Sequence, residues 1–171
     1  GWQQKFHNDT SKERCIMAGN RVGKTFSCAA EVAFHATGLY PAWWQGRKFN
    51  EPVRVWCGSE TNESSRDIQQ RELLGPREAL GTGAVPARFI YQGDPTWRQA
   101  GIPDVADTCR IRHVSGGWSK VQFKTYEQGR AKWQGTSQHV IWPDEEPPSD
   151  IYTEAQTRTL DTNGIILISY T

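Results

Sequence analysis

An apolar run, Cys15-Ile16-Met17-Ala18, leads into a turn containing Gly19, Asn20 and Gly23, and a segment with helical spacing, Phe26 to Thr37, follows directly. Few folds are open to a chain with that order of strand, tight loop and helix. Gly23-Lys24-Thr25 closes the turn after a four-residue gap, so Ala18-Gly19-Asn20-Arg21-Val22-Gly23-Lys24-Thr25 fits the phosphate-binding loop pattern, with Ala18 where the first glycine is expected. The chemistry follows from the backbone. Successive N–H groups opening onto the positive end of a helix dipole form a concavity suited to phosphate oxygens. Gly23 permits close approach, Lys24 reaches the terminal phosphates, and the Thr25 hydroxyl is placed to ligate magnesium.

Beyond the loop, strand-like and helix-like stretches alternate. Residues 1 to 13 form an amphipathic lead-in with a short helix ending near Asn8-Asp9, and Gly38 stops the helix that follows the loop. Val53 to Cys57 alternates as a strand does, Ser59 to Leu74 reads as one polar helix stopped by Gly75-Pro76, and Lys120 to Tyr126 reads as a strand. His139 to Trp142 is a short apolar run, Tyr152 to Leu160 a helix, and Ile165 to Thr171 a terminal strand. Only the Gly-, Pro- and Asp-rich region from Gly81 to Gly117 yields no pattern beyond two short apolar runs, Ala87 to Tyr91 and Cys109 to Val114. Alternating strands and helices predict an α/β fold with a mainly parallel, layered sheet.

Hydrolysis needs more than a phosphate loop: magnesium must be held on its far side and a group must orient or deprotonate water. Asp144 ends the apolar run at Val140 to Trp142, where open α/β sheets place ligands, and its carboxylate can hold the metal. Glu145 is the expected general base, although Glu146 leaves the register open between the two glutamates.

The remaining bounds are broad. A chain of 171 residues with 36% apolar composition suffices for one core. A net charge of +1 announces no global polyanion field, so any nucleic-acid contact rests on local patches. The four cysteines contain no Cys-x-x-Cys pair, which suggests a reduced cytoplasmic protein without structural zinc, and no apolar run approaches the ~18 residues of a membrane span. The abrupt ends at Gly1 and Thr171 suggest a fragment of a longer protein.

Taken in order, several motifs resemble one family, the large subunit of tailed-phage terminases. They are Gln3-x-x-Phe6-His7, the phosphate loop, Tyr40-Pro41-x-Trp43-Trp44-x-Gly46-Arg47, Ser115-Gly116-Gly117-Trp118-Ser119, Lys124-x-Tyr126-Glu127-Gln128-Gly129-Arg130, Gln134-Gly135, Asp144-Glu145-Glu146-Pro147-Pro148 and Ile168-Ser169-Tyr170-Thr171. The resemblance implies an ASCE-type P-loop NTPase fold of three layers and an ATP- and magnesium-dependent motor that translocates double-stranded DNA into a procapsid. It implies that residues 1–171 are the N-terminal ATPase domain, with an RNase H-like nuclease domain in the full-length protein absent from this chain. By position, Gln3 resembles an adenine-reading glutamine and Arg21 an arginine that contacts the γ-phosphate. Ser169 and Thr171 belong to a coupling motif, and Arg130 leads the candidates for an arginine finger offered to a neighbouring subunit, ahead of Arg158 and Arg112. Lys120, Lys124, Arg130 and Lys132, near Trp118 and Trp133, form the densest basic group for DNA, with the three lysines as its phosphate contacts. Portal protein, the terminase small subunit and a homo-oligomeric ring are the implied partners, without a membrane, and the implied setting is the host cytoplasm at the procapsid portal. Two rival readings remain: a helicase-like or repair ATPase, and a nucleotide-dependent binding module that does not hydrolyse.

Overall fold

The computed structural model describes residues 1–19, 21 and 23–171. Six strands are assigned: β1 (Glu13–Met17), β2 (Arg54–Ser59), β3 (Thr108–Arg112), β4 (Trp118–Thr125), β5 (Val140–Pro143) and β6 (Ile165–Tyr170). They form one sheet in the order β1-β6-β5-β2-β4-β3. Every neighbouring pair is parallel except β3 and β4. The sheet is therefore mainly parallel, as the alternation of elements predicts. Val140-Ile141-Trp142 and Ile165-Ile166-Leu167 are buried throughout, the continuous apolar run expected of strands covered on both faces.

Helix α1 (Trp2–Asn8) is the expected lead-in, and α2 (Lys24–Thr37) begins two residues before the apolar spacing does. Gly23 (φ 83°) and Gly38 (φ 77°) flank α2 in the left-handed region that favours glycine, and the Gly38 N–H closes the helix on the Phe34 carbonyl. The polar segment predicted as one helix from Ser59 to Leu74 is instead built of α3 (Asn62–Ser64), a π-helical stretch (Ser65–Gln70) and α4 (Arg71–Leu73). The wider turn lets two consecutive glutamines reach inward. Gln69 donates to the Trp142 carbonyl at 2.9 Å, and Gln70 donates to the Asp104 carbonyl at 3.0 Å while accepting from Ala106 N–H at 2.8 Å. Helix α5 (Ser149–Arg158) starts three residues earlier than its apolar spacing. A 3-10 turn, Arg77–Ala79, precedes the unpatterned region, which itself holds β3 and the 3-10 turn Ala87–Phe89.

Two buried clusters lie on opposite faces of the sheet. The larger packs α2 residues Ala29, Val32 and Ala36 against Val55, Cys57, Val121, Phe123 and Leu167. The smaller packs Ile151 and Ala155 of α5 with Trp133 against Trp56, Ile141 and Ile166. Trp133, read from sequence as a neighbour of a DNA-binding group, is fully buried there. It fits because β2 carries Gly58: a Cβ at that position would lie 2.3 Å from the Trp133 ring. Gly58→Ala is therefore expected to destabilise the domain by about 1–3 kcal/mol through overpacking, read as a fall in Tm.

Parallel pairing determines where chemistry gathers. Strands β1, β6 and β5 are neighbours, so the loop after Met17, the segment Ser169 to Thr171 and the acids after Pro143 all emerge at one edge.

Candidate active site

Lys24, the first residue of α2, is buried, and its Nζ donates to the Ala18 carbonyl and to Thr171 Oγ1, both at 2.9 Å. Thr171 Oγ1 in turn donates to Glu145 Oε1 at 3.2 Å. Two residues before Thr171, on β6, Ser169 Oγ donates to Asp144 Oδ1 at 2.8 Å and accepts from Trp142 Nε1 at 2.9 Å. A β-bridge between Asp144 and Ser169 prolongs the β5/β6 pairing by backbone, and Glu145 N–H donates to the Ser169 carbonyl at 2.7 Å. Arg21, Gly23, Lys24, Thr25, Asp144, Glu145 and Thr171 line one pocket of about 260 Å³, with Phe26, Ile68 and Glu72 completing its wall.

The two glutamates separate clearly. Glu145 has a φ of 66°, a left-handed conformation unusual for a non-glycine residue, and it faces this pocket. Glu146 turns away into a second cavity of about 270 Å³ with Cys15, Tyr152 and Tyr170. Tyr126 holds the turn: its hydroxyl donates to the carbonyls of Glu145 at 2.8 Å and Asp144 at 3.2 Å. No sequence pattern marked Tyr126 for this task; its place in the Lys124-x-Tyr126-Glu127-Gln128-Gly129-Arg130 motif was the only signal.

Burial raises the Asp144 carboxyl to about 6; the hydrogen bond from Ser169 and the charge of Lys24 oppose the rise, and the charges of Glu145 and Glu60 add to it. A buried carboxylate under that electrostatic pressure is a group that a cation relieves. Among the described residues no three His, Cys, Asp or Glu side chains are grouped to hold a metal. Thr25 and Asp144 both line the pocket, so a hydroxyl and a carboxylate there could hold a cation whose other ligands come from outside the protein. That suits magnesium, which favours one or two carboxylates with phosphates over an all-protein cage.

The other predicted residues are distributed unevenly. Gln3 is exposed, and its Nε2 lies 3.1 Å from where a Cβ would stand on Gly23, which brings α1 to the phosphate loop. Arg21 is exposed with a φ of 65°. Ala18 and Gly19 precede it, whereas Asn20 and Val22 lie outside the described residues. Arg130 stands apart from the pocket, more than half exposed and donating to Glu154 Oε1 at 2.8 Å. Lys120 and Lys132 are exposed. Lys124 corrects the expectation of a basic surface group: it is buried, donates to the Lys132 carbonyl at 2.6 Å, and lies 4.4 Å from the centroid of the Trp56 ring. Desolvation pushes its ammonium below the usual lysine range, and a phosphate contact would require giving up both partners.

A buried ionic cluster, invisible in the sequence, fixes α1. Glu31 of α2 is fully buried and takes hydrogen bonds from Arg14 of β1, at Nη1 (2.9 Å) and Nη2, and its carboxylate also contacts His7 Nδ1 (2.7 Å) and His35 Nε2 (3.1 Å). Arg14 Nη1 also bonds the Phe6 carbonyl. Through His7, Phe6 and this carboxylate, the helix that bears Gln3 is tied to the helix that bears Lys24.

Comparison with known proteins bears on the family and the fold. The family model for the terminase large subunit, T4likevirus-type, N-terminal region matches residues 15–171. The terminase large subunit of Salmonella phage P22 is 40% identical over 180 residues, which cover 93% of this chain and 35% of that protein. Among solved structures, the large terminase ATPase domain of Thermus phage P74-26 superposes with a TM-score of 0.67 at 18% identity, covering 99% of this chain and 63% of that one. A large terminase from a thermophilic bacteriophage, in complex with ADP, gives 0.57 at 13% identity, covering 98% and 38%. These structural likenesses establish the α/β fold, and the chain spans about a third of the length of the P22 protein. From the family match over residues 15–171 and the identity with the P22 protein, this chain belongs to the terminase large subunits, within their N-terminal region.

Proposed function

We propose that this chain is the ATP-hydrolysing motor domain of a terminase large subunit, which drives double-stranded DNA into a procapsid. The observation that carries the reading is the relay Lys24–Thr171–Glu145, flanked by Asp144–Ser169. It links the loop that would hold the phosphates, the acids that would act on them, and the strand end that would feel their loss. The ADP held by the thermophilic-phage terminase of the same fold supports nucleotide as the ligand.

In this reading the N–H groups of residues 18–25 cradle the phosphates, Lys24 leaves Thr171 for the terminal phosphate oxygens, and Arg21 approaches the γ-phosphate from the loop. Gln3 reads the adenine edge, since an amide both donates and accepts. Thr25 and Asp144 hold magnesium, which when bound supplies charge neutralisation to the phosphates. Glu145 accepts the proton of the attacking water. Once Lys24 and Glu145 change partners, Thr171 and Ser169 carry the difference into β6, which makes them coupling residues. Arg130 is the proposed finger toward a neighbouring subunit in a homo-oligomeric ring, freed from Glu154 when that neighbour binds. The longer protein would add an RNase H-like nuclease domain after residues 1–171, and would act in the host cytoplasm with DNA, the small subunit and the portal protein.

The test is ATP turnover by the full-length protein with and without linear duplex DNA and portal-bearing procapsids. The reading expects turnover that rises with both and DNA that becomes nuclease-protected inside the particle. Strand separation without protection would favour the helicase-like reading, and tight ATP binding with no phosphate release under any of these conditions would favour a binding module.

A further inference from the structure

On the sheet face that α5 and Trp133 cover over β6, β5 and β2, the outer strands β4 and β3 carry cations. Direct pairing sets Arg54 of β2 opposite Lys120 of β4, and Lys120 opposite Arg110 of β3. Three positive charges thus stand abreast on adjacent strands, spanning roughly 10 Å at about 4.8 Å per strand. In the next row Arg112 pairs with Trp118, on the same face because side chains two apart share one. All five side chains are exposed.

Like charges directly opposite one another destabilise a sheet, so this row opposes folding unless something anionic meets it. Among the described residues Asp94 is the one carboxylate paired with these cations, at 2.9 Å from Arg110. Aromatic rings hold the forks in place. The Arg110 guanidinium lies 3.7 Å from the Tyr91 ring centroid and that of Arg112 5.6 Å from Trp118, and the two rings meet edge to face at 4.9 Å. Four cations against one carboxylate, on a chain whose net charge is only +1, make this face a concentrated positive field.

We propose that this face is a docking surface for the phosphate backbone of duplex nucleic acid, engaged without reading sequence. Arg and Lys on rigid strands supply phosphate contacts, which position a duplex and carry no base information. Tyr91 and Trp118 are occupied with each other and with guanidinium groups, so they orient cations for phosphates and do not offer a free platform for unstacked bases. Arg54 begins β2 and Lys120 lies near the start of β4, so the row sits at the opposite end of the parallel strands from the nucleotide pocket. Duplex and nucleotide can be bound together. The surface replaces the expected lysine group: it keeps Lys120, excludes the buried Lys124, and adds three arginines from strands that sequence separates by up to 58 positions (Arg54 to Arg112). It rests on the proposed function for the partner's identity as DNA.

The experiment measures the Kd of the full-length protein for random-sequence duplex over a series of salt concentrations. The triple variant Arg54→Gln, Lys120→Gln, Arg112→Gln is expected to reduce the slope of log affinity against log salt by about 3, with equal loss on unrelated sequences. An ADP-induced rise in Tm reports whether the triple variant is folded, and a cooperative thermal transition reports the same for Lys24→Ala. Lys24→Ala, which removes the hydrolytic machinery, is expected to keep the full slope; a full slope with no DNA-dependent turnover in the unmodified protein would leave this surface standing and sink the motor reading. An unchanged slope in the folded triple variant overturns the proposal. So does a triple variant that keeps the slope but loses self-association by sedimentation, which would assign the face to a neighbouring subunit.

Discussion

Glu145→Gln is expected to lower the ATP turnover of the full-length protein by about 10²- to 10⁴-fold, the range for loss of a positioned general base, while nucleotide affinity changes little. The amide is nearly the same shape and its oxygen can still accept from Thr171 Oγ1, which donates to Glu145 at 3.2 Å. The backbone turn is held by Tyr126 and by the Ser169 carbonyl, neither of which depends on the carboxylate. The loss should therefore fall on the chemical step, as single-turnover phosphate release would report. Lys24→Ala is expected to fail differently. It removes a cation that serves bound and transition-state phosphates, so both binding and turnover fall, with turnover down by roughly 10²- to 10³-fold, as for removal of one electrostatic stabiliser. Glu146→Gln supplies the contrast, because that side chain lines the neighbouring cavity with Cys15 and Tyr170. Turnover within about threefold of the unmodified protein is expected for it. A profound loss at Glu146 with a mild one at Glu145 would invert the assignment.

That contrast shows what could be read in advance. Gly23-Lys24-Thr25 and Asp144-Glu145 are legible because each is a local grammar, a turn into a helix or an acid at a strand end, which pairing of adjacent parallel strands then brings together. The choice between two consecutive glutamates is not local. It is made by a left-handed φ at Glu145 and a tyrosine hydroxyl 19 positions upstream. Lys124 illustrates the same limit. Trp118, Lys120, Gln122 and Lys124 alternate onto one face, and exposure falls along it as Trp133 and the Lys132 turn close over the end of the strand. Periodicity assigns all four residues to one face, but only the tertiary cover decides where that face stops being surface. Strand β3 was unreadable because its edge is organised by Asp94, whose carboxylate takes the Arg110 N–H at 2.8 Å and its guanidinium at 2.9 and 3.0 Å.

The largest stability effect is expected at Glu31, which no motif contains. Its carboxylate is fully buried, and the Arg14 guanidinium that it neutralises is only 3% exposed. Glu31→Ala would strand that guanidinium and leave His7 and His35 without their acceptor. Removing one partner of such a pair costs about 3–5 kcal/mol, or a fall in Tm of roughly 6–20 °C for a domain this size. Changing both partners, Glu31→Leu with Arg14→Met, should recover much of that loss, because the penalty belongs to the orphaned charge and not to the absence of the pair. Acid should mimic the single substitution. Burial alone would raise the Glu31 carboxyl, but hydrogen bonds from His35, His7 and Arg14 hold it well below its ordinary value of 4.5. The folded state therefore keeps Glu31 ionised where the unfolded chain would take a proton, and its contribution is complete above pH 4.5 and lost as pH falls below it. Burial likewise lowers His35 beneath its ordinary 6.5 despite its bond to Glu31, so acidification below that point also favours the unfolded chain. Asp144, raised to about 6, works in the opposite sense between its ordinary 3.8 and that value. The difference in stability between the unmodified protein and Glu31→Gln cancels Asp144 but not His35, which the Glu31 bond and charge hold up against burial: it should be flat above pH 6.5, widen toward pH 4.5 and shrink below it, and a difference that does not shrink down to pH 3 would show that the carboxylate acts through its shape and not its charge. Because Arg14 and His7 join Glu31 to α1, the same loss should loosen Gln3 from the phosphate loop before the sheet melts; with Gln3 in its proposed adenine-reading role, Glu31→Gln should prefer ATP over GTP less than the unmodified protein does at temperatures where the core remains folded.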